Sequence, residues 1–529
     1  MRVLWGLGAV LLGLLSAVPA PGMPLASMVL AVLAFGCLAV AVLGAPRVAF
    51  AVPPLAGSAW ARWEDAAVFA SPGPFLLGLW PRTRTPLFLT EEQMSGHVLV
   101  LGPSRSGKTA GVIAPNVLLR DPSRESVVVL DVKTGPRSLW NVTAGRYGPR
   151  AHLFCPLFEG SLPYNPLEEV TSIGAAQQKA SLLVHNTTRR DLSGDAWVYT
   201  AAAADLATLL FLHVQQERPA GHTIGAVYRL LLEGPGAVRE ALRGSRIPEV
   251  RERQGMFTAR ERRVRDAAVT GLLERLAPWA DPVVSEATSR HWDLRILGRE
   301  PTALYILLPE SDAHRLQPLT AWLVADLLDA LIEEADRAGL RCPVRLYLDE
   351  FRRFGYLAGL SARLPTLRER GVSVVLGVQV VSQIEEVYGY REARTLLGNT
   401  ETKVLFRAGD LETARMISAW LGRTSVPAVS VTTRGRADRS ITVHPYVRPL
   451  AAVEDVARIP DGALIAVTGA AQPLALTQAR YFEVPGLART PPPFLLNRRT
   501  SSALSLSLRD SSPPLRRRTP PRPAGGLHG

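Results

Sequence analysis

The sequence predicts an α/β fold in which a parallel sheet is covered by helices on both faces. Short apolar, β-branched runs recur at 121–132 (a turn, then a strand), 303–308, 344–348, 372–378 and 403–406. Each is too brief for a helix. Helix-suited segments alternate with these runs, and a block of Ala/Leu-rich stretches fills 175–279. That block reads as an insertion between two halves of one α/β domain. At 529 residues the chain is long for one compact domain, and its 47% apolar content is ample for a core.

The first 50 residues read as two membrane helices. No charged side chain occurs from 3 to 46, and the apolar stretches 3–20 and 25–43 each approach the width of a bilayer. Pro21-Gly-Met-Pro24 separates them, Arg2 precedes the pair, and Arg47 and Arg62 follow it. A hairpin with both ends in the cytoplasm satisfies the positive-inside tendency. The alternative is a cleaved signal peptide ending near 17–20, which would place Pro21 after the cut and leave a second apolar run.

Residues 51–172 hold the first part of the α/β domain. Here the apolar run 97–101 is followed by GPSRSGKT, which fits G-x4-G-K-[ST]. A phosphate site needs glycines where backbone N–H groups must turn inward, one mobile cation, and one hydroxyl for Mg²⁺. Gly102, Pro103, Ser104, Arg105, Ser106 and Gly107 would form the loop, Lys108 would supply the charge and Thr109 the metal-binding hydroxyl. The alternative is a chance Gly-Ser turn. Arginine dominates this chain and lysine appears only at 108, 133, 179 and 403, so a random match is disfavoured. The implied cofactors are ATP and Mg²⁺.

The insertion, 173–295, reads as an all-α domain with helices at 175–186, 197–216, 223–232, 236–244 and 264–279. Pro235, Pro248 and the Arg-rich stretch 251–265 read as boundaries or exposed connections. The α/β domain resumes over 296–487. VRLYLDE (344–350) is an apolar strand ending in two carboxylates. Asp349 at the strand end can reach a Mg²⁺ shell, and Glu350 can lie beside an attacking water. Such a pair alone is a common strand end, but beside the 102–109 loop it points to phosphoryl chemistry. The neighbouring Glu argues for a RecA-like P-loop ATPase over a small-molecule kinase or a GTPase. Gln379, at the tip of the strand 372–378, is a γ-phosphate sensor or an ordinary strand-end amide. From 488 to 529 proline, serine and arginine predict a disordered tail, in which the stretch from 490 onward sets seven arginines against Asp510.

The formal charge of +13 points to an anionic partner, nucleic acid or an anionic membrane face. Cys37, Cys155 and Cys342 lack metal-ligand or disulfide-framework spacing, which implies a reducing compartment and no zinc site.

The segments 348–389 and 396–422, with Arg448-Pro-Leu450, resemble the type IV secretion coupling proteins of the TraG/VirD class. Gly57-Ser-Ala-Trp-Ala61, Asp131-Val-Lys133, Tyr164-Asn-Pro166 and Trp197 occupy the order that family shows. The resemblance covers most of 1–485. It implies an inner-membrane ATPase, a homo-oligomeric ring (hexameric) that hands relaxase-bound single-stranded DNA to a type IV secretion channel. By position, Lys108 and Thr109 match the family's phosphate loop, Asp349 and Glu350 its acidic pair, and Gln379 its sensor. Arg407 is the candidate arginine finger toward a neighbouring subunit, with Arg423 competing. Arg352-Arg353 and Val380-Val381 depart from the family pattern. Two further readings stay open, an ATPase moving protein effectors and a nucleotide-switched membrane scaffold.

Overall fold

The computed structural model describes residues 57–187, 196–218, 221–357, 359–434, 438–484 and 487. The membrane hairpin expected over 1–50 and the tail expected over 488–529 lie outside the described residues. The described residues of 57–426 and 446–484 form one compact unit.

Its strands are β1 (Phe75–Leu79), β2 (Pro86–Leu89), β3 (Val98–Leu101), β4 (Ser126–Asp131), β5 (Ala151–Phe154), β6 (Ala303–Leu307), β7 (Val344–Leu348), β8 (Val372–Val378) and β9 (Thr402–Leu405). After β10 (Arg423–Arg434) and β11 (Asp438–Pro449) come β12 (Ala463–Val467) and β13 (Leu474–Thr477). Eleven strands make one sheet in the order β2-β1-β13-β12-β9-β3-β8-β7-β4-β6-β5. The seven from β9 to β5 run parallel. Every residue of β3, β4, β6, β7 and β8 is buried, because helices cover both faces. That burial is why the sequence shows continuous apolar runs there instead of alternation.

The parallel sheet expected from the sequence needs one correction, since β12, β13, β1 and β2 continue it antiparallel beyond β9. These edge strands are four or five residues long, and such short runs carry no period that distinguishes them from loop. Among the described residues β10 and β11 pair with each other alone, and they expose Val429, Val443 and Tyr446.

Helix α1 (Thr109–Leu118) follows β3, and the longer described helices between β5 and β6 are α2 (Ile173–Thr187), α3 (Ala196–His213), α4 (Ile224–Leu232), α5 (Pro235–Gly244), α6 (Pro248–Thr258) and α7 (Arg262–Arg275). The Arg-rich stretch 251–265, expected as a connection, lies largely in α6 and α7. Pro248 opens α6 at a position where no N–H is required, and only Val250 and Phe257 of that helix are buried. Two apolar contacts spaced seven apart hold a helix whose remaining surface is solvated, so the amphipathic pattern was too sparse to read. Trp197–Glu217 is long and apolar enough to cross a bilayer, but it packs within the fold, against α2 and α7.

α8 (Ala313–Ala338) lies against α2 and carries Trp322, whose indole N–H donates to Lys179 O at 3.1 Å. Lys179 pairs with Asp326 of the same helix, and Tyr164 donates its hydroxyl to that carboxylate.

Asn116 on α1 joins the antiparallel edge to the sheet centre. Its Oδ1 accepts from Leu76 N–H at 2.7 Å, and its Nδ2 donates to Leu76 O and Val112 O at 2.9 Å each. Asn116→Ala strands two buried backbone groups of β1 and is expected to cost about 2–4 kcal/mol. Urea denaturation followed by tryptophan fluorescence measures it.

Candidate functional site

β3 stands between β9 and β8, so the loop that leaves its carboxyl end enters the crevice above the parallel strands. Gly102 N–H donates to Val378 O of β8 at 3.1 Å. A side chain at 102 would begin 2.6 Å from Phe406 Cβ, so only glycine lets the loop cross β9 this closely. Arg105 takes φ 65° and Gly107 φ 99° as the chain curls back into α1. Pro103, Ser104 and Arg105 form the more open rim of the loop, whereas Ser106 and Lys108 are buried. Lys108 Nζ donates to Gly102 O at 2.7 Å and Pro103 O at 3.1 Å. Burial holds this ammonium below the ordinary lysine value, against the pull of the Glu350 and Asp349 carboxylates.

Asp349 and Glu350 leave the end of β7. Thr109 Oγ1 donates to Asp349 Oδ2 at 2.6 Å, closing a contact between residues 240 apart in sequence. Asp349 is fully buried, and Gly377 of β8 leaves it room, since a Cβ there would stand 3.1 Å from its Oδ1. Glu350 adopts the left-handed conformation (φ 52°, ψ 46°), which turns its side chain toward Gln379. Gln379 Nε2 donates to Glu350 Oε2 at 2.6 Å. The fold therefore brings together Gly102 to Thr109, Asp349, Glu350 and Gln379. It does not bring in Arg407, which follows β9, is 47% exposed and lies 4.0 Å from Asp461. Arg423 opens β10, and its carbonyl accepts from Ser58 N–H.

A family model described as "Type IV secretory system Conjugative DNA transfer" matches residues 68–507. The chain belongs to this family. Among its relatives, the protein VirD4 of Rhizobium rhizogenes is 26% identical over 402 residues, covering 73% of this chain and 58% of VirD4. A conjugal transfer protein TraG of Escherichia coli is 26% identical, covering 69% of this chain and 62% of TraG. The chain thus spans about three fifths of the length of the curated relatives it matches. The bacterial conjugative coupling protein TrwB, in a trigonal form with sulphate, superposes with a TM-score of 0.66 at 18% identity, covering 84% of this chain and 96% of TrwB. TrwB in complex with ADP and Mg²⁺ gives 0.63 at 17% identity, covering 81% and 94%. At that identity the likeness shows a shared fold.

Three residues of this family member enter the site without having been singled out as site residues. Lys133, two residues past β4, places Nζ 3.3 Å from Thr109 Oγ1 and 3.7 Å from Asp349 Oδ2. Burial draws its ammonium down, but Asp349, Asp131 and Glu350 outweigh this and raise it. Asp131 is buried at the end of β4 and accepts from Leu139 N–H and Lys133 N–H. Burial and the Asp349 carboxylate push its pKa up to about 6. Gln478, just past the edge strand β13, donates Nε2 to Ser106 O at 2.8 Å and braces the loop from below. The scarcity of lysine was a signal for Lys133; nothing local in the sequence marked Gln478.

A Cβ at Gly107 would meet Gln478 Oε1 at 2.2 Å, and the backbone there has positive φ. Gly107→Ala is expected to lose about 1–3 kcal/mol through strain, plus the clash. In a Gln478→Ala background only the clash is relieved. Thermal unfolding of the two single variants and the double variant measures that partial recovery.

Proposed function

We propose that this chain is a membrane-anchored ATPase that hydrolyses ATP to recruit single-stranded DNA, as a relaxase–DNA complex, and pump it into a type IV secretion channel. The single observation that carries the reading is the 2.6 Å contact of Thr109 with Asp349, which joins the phosphate loop to the acidic pair inside one protomer. TrwB, which shares this fold, forms a complex with ADP and Mg²⁺.

The residues fit such a ligand. Ser106 Oγ is buried in the loop without a hydrogen-bond partner, and Gly102 and Gly107 stand where side chains would collide. Lys108, released from the Gly102 and Pro103 carbonyls, would take the β- and γ-phosphate charge, with the loop N–H groups turned to the same oxygens. Thr109 and Asp349 would hold Mg²⁺. Bound there, the metal neutralises charge on the phosphate oxygens. Glu350, kept in place by the Gln379 amide, would accept the proton of the attacking water, and Gln379 would register whether the terminal phosphate is present. Arg407 lies outside these contacts, which suits a finger serving a neighbouring subunit in a ring.

In this assignment 51–172 and 296–487 form the motor, 173–295 an inserted all-α domain, and 1–50 the anchor in the inner membrane. The +13 charge favours DNA over protein as cargo.

Lys108→Ala is expected to abolish ATP binding, hydrolysis and DNA transfer. Glu350→Gln is expected to bind ATP but turn it over about a hundredfold or more slowly in a coupled phosphate-release assay. Wild-type turnover by that variant would remove Glu350 from the chemistry. Single-stranded DNA is expected to stimulate the wild-type protein, with an effect that falls steeply as salt rises. Turnover indifferent to DNA in the assembled protein would point to protein cargo.

A further inference from the structure

Lys133 sits on the two atoms assigned above to the metal. Its Nζ lies 3.3 Å from Thr109 Oγ1 and 3.7 Å from Asp349 Oδ2. Since the Thr109 hydroxyl donates its proton to Asp349, it meets Lys133 as an acceptor, through a lone pair that a metal would need. Asp349 is wholly buried, and Asp131 and Glu350 act on the same ammonium, so three carboxylates gather around it at the strand ends. Lys108 feels the Asp349 and Glu350 carboxylates too, but it gives its hydrogen bonds to Gly102 O and Pro103 O.

We propose that Lys133 is the site's resident counter-cation, a positioning residue that holds Thr109 and Asp349 in their metal-binding geometry and is displaced when Mg²⁺ arrives with the nucleotide. This rests on the motor reading above for the identity of the metal site. A Mg²⁺ ion held by these two oxygens would be a near neighbour of the ammonium, which lies 3.3 and 3.7 Å from them. Like charges this close, in a partly buried site, repel strongly, so the two cations compete for one place. Lys133 has room to leave. Its side chain is 44% exposed, and it lines a cavity of about 570 Å³ with Val132, Thr134, Arg137, Pro309 and Glu310. The arrangement prevents free Mg²⁺ from loading without a nucleotide and keeps the acidic cluster from repelling incoming phosphates.

The test is Mn²⁺ binding to the nucleotide-free full-length protein, followed by electron paramagnetic resonance, in wild type, Lys133→Met, Lys133→Gln and Lys133→Arg. Met and Gln variants are expected to bind Mn²⁺ at least about tenfold more tightly than wild type, while Arg, which keeps the charge, stays near wild type. Mn²⁺ is further expected to raise the Tm of the Met and Gln variants and to leave that of wild type unchanged. Equal Mn²⁺ affinity in all four folded proteins overturns the proposal, as does tighter binding in the Arg variant to the same degree. ATP turnover by wild type in the same preparation separates the two levels. Turnover with no Mn²⁺ shift removes the counter-cation alone, and a charge-dependent shift without turnover removes the motor while leaving the counter-cation standing.

Discussion

The hydrogen bond from Thr109 to Asp349 is the constraint on which the site depends. Neither residue has a local reason to be near the other. They meet because β8 lies between β3 and β7, in parallel register on both sides. Parallel neighbours cannot be joined by a tight turn, so each connection must cross a face of the sheet. The helices that make those crossings bury both faces, and that burial drives the sheet together. Loop and acids are thus fixed by the same hydrophobic packing, with Gly102 and Gly377 providing the close approaches it requires.

Much of this was legible because fully buried parallel strands write themselves as unbroken apolar runs. VLVL, SVVVLD, VRLYL and VSVVLGV each announced a strand, and the residue types at their carboxyl ends announced chemistry. The antiparallel edge was not legible. PLFL and LALT are short and flanked by nothing periodic. Gln478 follows from that blind spot, since its role exists only because β13 pairs with β12 and carries the chain beneath the phosphate loop. Lys133 was visible as a rare residue, but its reach back to Thr109 depends on the turn after β4, where Asp131 accepts from two backbone N–H groups. Helix α6 was not legible because only Val250 and Phe257 of it are buried, and two positions set no readable period. Most of α7, by contrast, lies within the helix expected over 264–279.

The helices between β5 and β6 are tied to the rest of the fold by charge as well as by packing. Lys179 of α2 and Tyr164, in the segment after β5, converge on Asp326 of α8, and Trp322 one turn earlier donates to Lys179 O. Breaking one member of such a buried trio leaves an uncompensated group, which costs more than the intact pairing gains. The network therefore acts less as a source of stability than as a register pin, holding the first inserted helix at one position along a core helix.

Glu350 shows how the site resolves a conflict between backbone preference and chemistry. A non-glycine residue in the left-handed region costs on the order of 1 kcal/mol, and glycine there would remove the cost along with the carboxylate. The strain is retained with a side chain whose placement matters. Gln379 fixes the outcome, because an ionised carboxylate only accepts hydrogen bonds, so the amide must present Nε2 and turn its oxygen away. Asp349, one residue earlier and just past β7, faces Thr109. Two adjacent carboxylates are thus sent in different directions by one dihedral pair, one toward the phosphate loop and the other toward the neighbouring strand's tip. Two carboxylates can then stand next to each other in sequence without sharing a partner.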